Sequence, residues 1–130
     1  MPLDRETITA HGAPEAVGPY SHAVRSGGLL FCSGQVPIDP ATGKLVEGGP
    51  GEQATRCLEN LSIVCAAAGA TLQDAVRIGV FVTDMGAFKE VNEAYAAFFE
   101  SDPPARAAIG VAALPLGAEV EVEAVVAVER

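Results

Sequence analysis

Two hydrophobic periods divide this chain. Over residues 51–68, Ala54, Leu58, Leu61, Cys65 and Ala68 recur at the four/three spacing of one helical face, with Glu52, Arg56 and Glu59 largely outside it. The spacing predicts a helix closed by Gly69, the residue type that takes the left-handed cap position without strain. A second helix is predicted from Asp84 or Gly86 to Glu100, with Phe88, Val91, Asn92, Tyr95 and Phe99 as its inward stripe. Between the helices Val76, Ile78, Val80 and Val82 alternate with Arg77, Gly79, Phe81 and Thr83, the period of a strand rich in β-branched residues. Residues 105–113 alternate again, with Ala105, Ala107, Ile109, Val111 and Ala113 on one side, before Leu114-Pro115-Leu116-Gly117 turns the chain. In the last strand, residues 119–129, Val120, Val122, Ala124, Val126 and Val128 oppose Glu119, Glu121, Glu123, Val125 and Ala127. Upstream, residues 29–33 read as a buried strand joined by Gly27-Gly28 to a partner at 21–25, and Pro40-Ala41-Thr42-Gly43 as a turn.

The resulting order, β-β-β-α-β-α-β-β, predicts an α+β layout with two helices on one face of a mainly antiparallel sheet. The other face then needs a cover. On the strand at 105–113 it is assigned Arg106, Ala108, Gly110 and Ala112, and on the last strand Glu121, Glu123, Val125 and Ala127. These positions are too small and apolar for a solvated surface, and no third helix remains to cover them. A second copy of the chain is the expected cover, so self-association through the helix-free face is predicted.

Composition narrows the function. A chain of 130 residues, 49% hydrophobic, suits one domain spanning 1–130. It buries about two-thirds of its unfolded surface and needs no metal or disulfide staple. No apolar run approaches the roughly 18–20 residues that span a bilayer, and residues 1–10 carry Asp4, Arg5 and Glu6 where a signal peptide would be apolar. A cytoplasmic protein without a membrane partner is expected. The net charge of −9, with no basic cluster to offset it, makes nucleic acid a poor partner. Cys57 and Cys65, eight positions apart on one helix, would lie about 12 Å apart along the axis and about 80° apart around it, too far for a disulfide. With no Cys-x-x-Cys and with His11 and His22 isolated, no metal site is expected.

Arg106 is the most informative residue, a guanidinium in a strand otherwise of Ala, Ile, Gly and Val. Such a group is costly to bury unpaired. Two readings stand: an ion pair with Glu121 or Glu123, or a receptor gripping a ligand carboxylate through two parallel hydrogen bonds. Glu119 and Glu123 read as exposed carboxylates, whereas Glu121 between them is the one expected to be partly desolvated and able to orient a water. Tyr20 follows a rigid Gly18-Pro19 turn, and Ser33-Gly34 ends a buried strand where a hydroxyl and a bare backbone N–H can both face a ligand. Asn92 must find a partner, either a neighbouring loop or a ligand. No nucleophile–base pair, GxGxxG or P-loop occurs.

These pieces coincide with a known family. The sequence resembles the YjgF-type reactive intermediate deaminases, the RidA-like proteins. The matching stretches begin with Ala16-Val17-Gly18-Pro19-Tyr20-Ser21 and Phe31-Cys32-Ser33-Gly34-Gln35-Val36-Pro37. Gln53-Ala54-Thr55 through Glu59-Asn60-Leu61, Ala68-Gly69, Val80-Phe81-Val82-Thr83-Asp84-Met85, Phe88 through Val91-Asn92 and Tyr95-Ala96-Ala97-Phe98-Phe99 follow. Pro104-Ala105-Arg106, Leu114-Pro115 and Val120-Glu121-Val122-Glu123-Ala124 complete them. Together they run through nearly the whole chain in the family's order.

The resemblance implies a chorismate-mutase-like α+β fold assembled as a homotrimer, its sheets forming a central barrel and its sites lying between subunits. It implies hydrolysis of reactive enamines and imines, such as 2-aminoacrylate and 2-iminobutyrate, to 2-oxo acids and ammonia, without metal or organic cofactor. Arg106 would bind the substrate carboxylate, aided by backbone N–H groups near Gly34 and Ala108. Glu121 would orient a water or handle its proton, Tyr20 and Ser33 would hydrogen-bond near the reacting centre, and Asn92 would support the pocket. Many members follow the arginine with Ser-Cys, where this chain has Ala107-Ala108. Hydrolysis should survive that change, since the position is thought to contribute backbone more than thiol. A trimeric binding module for 2-oxo acids would use the same pocket. Ribonuclease activity, attributed to some relatives, is opposed by the charge of −9 and by the lack of a His-based acid–base pair.

Overall fold

The computed structural model describes residues 3–129. Six strands form one sheet in the order β1-β2-β3-β8-β6-β7: β1 (Glu6–Ile8), β2 (Ala23–Ser26), β3 (Leu29–Gln35), β6 (Ala75–Val82), β7 (Ala105–Gly110) and β8 (Val120–Ala127). All neighbours are antiparallel except β6 and β7. A small hairpin, β4 (Ile38–Asp39) with β5 (Lys44–Leu45), folds around the expected turn at 40–43. The predicted α+β architecture is the observed one, and the short β1 at the sheet edge is an element the hydrophobic pattern alone did not mark.

Helix α1 (Pro50–Ala67) starts at Gly49, with Pro50 in the first turn, where its missing N–H costs nothing, and with Glu52 Oε2 accepting from Gly49 N at 3.1 Å. It ends in a Schellman arrangement: Gly69 takes φ +73°, its N–H donates to Ala66 O and that of Ala70 to Cys65 O. Helix α2 (Phe88–Phe98) follows a 3-10 turn capped by Asp84, whose Oδ1 accepts from Gly86 N at 2.8 Å.

The core lies between the helices and one face of the sheet. Leu58, Leu61, Val64 and Cys65 of α1 and Val91 and Tyr95 of α2 meet Leu30, Ile78, Val80, Val82, Val120, Val122 and Val126, all buried. The three cysteines are buried free thiols.

The opposite face is uncovered and largely apolar: Leu29, Phe31 and Ile109 are exposed there, with Phe81 and Val125 half-buried beside them. Pairing fixes that grouping, since Phe31 and Phe81 flank β8 opposite Val125 and Glu121, and Ile109 pairs with Phe81. Gly79 makes room on this face for Glu123, whose carboxylate reaches Arg77 at 3.4 Å.

One face assignment is overturned. Arg106, Ala108 and Gly110 do not lie on the helix-free face. In the parallel pairing, Ile78 is opposite Arg106, Val80 opposite Ala108 and Val82 opposite Gly110, so these residues share the helix-covered side. Ala105, Ala107 and Ile109 occupy the open side instead. The alternation along β7 was right and its phase was wrong: alanines on both sides leave no hydrophobic contrast, and register against β6 decides the phase. The strand also stops at Gly110, short of 113.

Candidate active site

Arg106 projects from the edge strand β7 beneath α2. Its Nη1 donates to Asn92 Oδ1 at 2.7 Å, and its guanidinium carbon sits 4.8 Å from the Tyr95 ring centre and 5.3 Å from that of Phe88. An amide and two aromatic faces therefore hold the cation, and among the described residues no carboxylate pairs with it. The ion pair with Glu121 or Glu123 is excluded by geometry, because those carboxylates lie on the other side of the sheet. Asn92 is exposed rather than part of the buried stripe, and its partner is the arginine, not a loop. Ala108 is half-buried on the same side of β7, two residues beyond Arg106.

The remaining residues gather elsewhere. Tyr20, Ser33, Gly34 and Glu121 line a cleft of about 330 Å³ with Val17, Val36, Pro115 and Leu116. The turn presenting Tyr20 is closed by Tyr20 N donating to Gly18 O at 2.9 Å, and its hydroxyl is 3.4 Å from Val17 N. Ser33 donates its hydroxyl to Ser21 O at 2.6 Å and its N–H to His22 O at 3.0 Å, leaving the Oγ lone pairs as acceptors toward the cleft. Glu121 packs directly on Gly34. A Cβ there would stand 2.9 Å from the Glu121 carboxyl carbon, so glycine lets the acid lie where it does and any larger residue would push it aside. Burial, and secondarily the charge of Glu123, raises the Glu121 carboxyl above the usual carboxylate range. Leu116 closes the rim in a left-handed conformation (φ +61°).

Supports for this cleft come from α1 and were not singled out by chemistry at the sequence level. Gln53, buried, binds Glu119 twice: its Oε1 accepts Glu119 N at 2.8 Å and its Nε2 donates to Glu119 Oε2 at 3.1 Å. Glu119 is thus tied to α1 rather than free in solvent. Asn60, fully buried, donates to Val36 O and Ile38 O and accepts from Arg56 Nε, pinning the loop that follows Gly34. The visible signal was a polar residue at a helical position flanking the apolar stripe in each case. Among the described residues no cluster of three His, Cys, Asp or Glu is placed to hold a metal, and no helix is long and apolar enough to cross a membrane.

The described chain therefore carries a clamped guanidinium and an acid-bearing cleft on opposite faces of its sheet. The fold defines a class, the chorismate-mutase-like α+β proteins. A family model described as Endoribonuclease L-PSP matches residues 10–128, and the chain belongs to this family, the YjgF/RidA proteins. The RutC family protein y4sK of Sinorhizobium fredii is 50% identical over 121 residues, covering 93% of this chain and 96% of that protein. The mouse 2-iminobutanoate/2-iminopropanoate deaminase is 46% identical, covering 93% and 90%. Among solved structures, RidA from the Antarctic bacterium Psychrobacter superposes with a TM-score of 0.91 at 43% identity, covering 95% and 99%. Escherichia coli TdcF with bound serine superposes with a TM-score of 0.88 at 35% identity, covering 94% and 98%.

Proposed function

We propose that this chain hydrolyses small reactive 2-imino and enamine acids, of the 2-aminoacrylate and 2-iminobutyrate type, to 2-oxo acids and ammonia. The observation that carries the reading is Arg106, a guanidinium positioned by Asn92, Phe88 and Tyr95 and engaged by no carboxylate of the described chain. A cation so prepared suits an acid brought from solution, and the net charge of −9 elsewhere favours a small carboxylate over a phosphate backbone.

The guanidinium and the cleft come together if protomers associate through the open sheet face as a homotrimer, Arg106 of one facing the cleft of its neighbour. The exposed Leu29, Phe31 and Ile109 supply the apolar surface such an interface requires. In that arrangement Arg106 holds the substrate carboxylate, with backbone N–H groups at Gly34 and Ala108 as further donors. Protonated imine carbon is already electrophilic, so no nucleophile beyond water is needed. Glu121 takes a proton as water adds to C2, and its raised affinity for protons suits it to return that proton to the departing nitrogen. Tyr20 and the Ser33 oxygen hold the water or the amine, and imine plus water becomes 2-oxo acid plus ammonia. The relative named a deaminase supports the reading, as does the neighbour holding serine, a small amino acid.

The test is ammonia release from freshly generated 2-iminobutyrate. Arg106→Ala should lose about 2–4 kcal/mol of transition-state binding, roughly a 30- to 1,000-fold fall in kcat/KM, with the circular dichroism spectrum unchanged. An unchanged rate ends the assignment. Binding of 2-oxobutyrate without acceleration of imine hydrolysis would favour a non-catalytic carboxylate sensor.

A further inference from the structure

His22 is buried just behind the cleft, and the reaction does not use it. Both its ring nitrogens are committed to backbone of one loop: Nδ1 accepts from Ala10 N at 2.9 Å, and Nε2 faces Pro14 O at 2.8 Å. A carbonyl only accepts and an N–H only donates, so the ring must be neutral with its proton on Nε2. Its own carbonyl accepts Ser33 N, and Ser33 in turn donates to Ser21 O. The imidazole thus ties the 10–14 loop, which leads to Tyr20, to residue 22, whose backbone carbonyl holds Ser33 N independently of the ring.

We propose that His22 is a positioning residue whose neutral ring fixes the 10–14 loop leading to Tyr20 for the reaction and releases it when it takes up a proton. A second proton on Nδ1 sets two donors, Nδ1–H and Ala10 N–H, against each other, so the 10–14 loop must let go of the ring. The titratable groups lining the polar cavity beside it are His11, Glu15 and Tyr20. From α1 the nearest contribution to the loop is apolar, Ile63 against Gly12, and β3 contributes the Ser33 backbone. The activity arm of the test rests on the hydrolase reading, and the spectroscopic arm does not.

The experiment compares imine hydrolysis, relative to the uncatalysed rate, for wild type, His22→Gln and His22→Ala across mildly acidic to neutral pH. Glutamine accepts from Ala10 N–H and donates to Pro14 O but does not titrate. Wild type should lose activity on acidification, by up to about tenfold per pH unit. His22→Gln should keep the neutral-pH activity and lose the acidic limb that the imidazole imposes, and His22→Ala should lower kcat at every pH. A glutamine variant with the wild-type limb overturns the proposal. Should that variant fail to fold, nitrogen-detected NMR of wild type must show the Nε2–H tautomer, and amide exchange over residues 10–20 must quicken as the ring protonates. The opposite tautomer or unaltered exchange overturns it equally. Wild type inactive on imines, yet with this tautomer and this exchange, would sink the hydrolase reading and leave the positioning device in place.

Discussion

Arg106 and Glu121 are ionisable groups held in opposite ways. The arginine keeps its charge between aromatic faces and an amide, which orient it without neutralising it. The glutamate is pressed against Gly34, where desolvation and Glu123 disfavour its charged form. A carboxyl with a folded-state pKa above its unfolded value costs stability once ionised, so the cost appears as pH rises from the ordinary carboxylate range through the raised value. Glu121→Gln removes that cost and removes the proton acceptor. Its melting temperature should match wild type in acid and exceed it increasingly toward neutrality, while imine hydrolysis is lost. Parallel thermal melts at about pH 4 and 7 check the sign; a gap independent of pH would show that Glu121 is not the strained group.

Among the elements, α1 does more than cover the sheet. Its Gln53 and Asn60 reach the two segments that bracket the cleft, the start of β8 and the loop after β3. Asn60→Ala would remove the buried amide donor to the Ile38 carbonyl and leave Val36 O with only the Ile38 N–H. It should cost about 1–3 kcal/mol in urea unfolding, with lowered hydrolysis as the Gly34 loop loosens. An effect under about 0.5 kcal/mol would mean the loop is held by its own turn. Helix α2 does the same for Arg106, since Phe88, Asn92 and Tyr95 meet its guanidinium. Both helices were legible from period and caps because their stripes contrast strongly with their polar sides. The face of β7 was not legible, because Ala-Arg-Ala-Ala-Ile-Gly offers similar side chains to both sides and register against β6 settles the matter.

For the whole molecule, Arg106 and Glu121 lie on opposite sides of one sheet, so the proposed chemistry requires the proposed assembly. If Arg106 of one protomer completes the Glu121 cleft of the next, two inactive variants should complement each other. Arg106→Ala and Glu121→Gln, unfolded together and refolded as an equal mixture, would form trimers in which roughly a quarter of sites carry both native residues. About a quarter of wild-type activity should return, measured by ammonia release from 2-iminobutyrate. Recovery no greater than that of either variant alone would place both residues in separate functions.

Periodicity, turn residues and caps were enough to set both helices, the hairpin strands β2 and β3, strands β6, β7 and β8 and the candidates Arg106, Glu121, Tyr20 and Ser33, because each is a local property of side-chain alternation or type, whereas the short β1, β4 and β5 carry too few residues to show a period. Which side of the sheet each candidate occupies was beyond that reading. A strand's phase depends on the neighbour it pairs with, and that neighbour can be a long way off in the chain: Arg106 takes its side from Ile78, and Glu121 its environment from Gly34. The separation of guanidinium and carboxyl on one chain is therefore a consequence of long-range pairing.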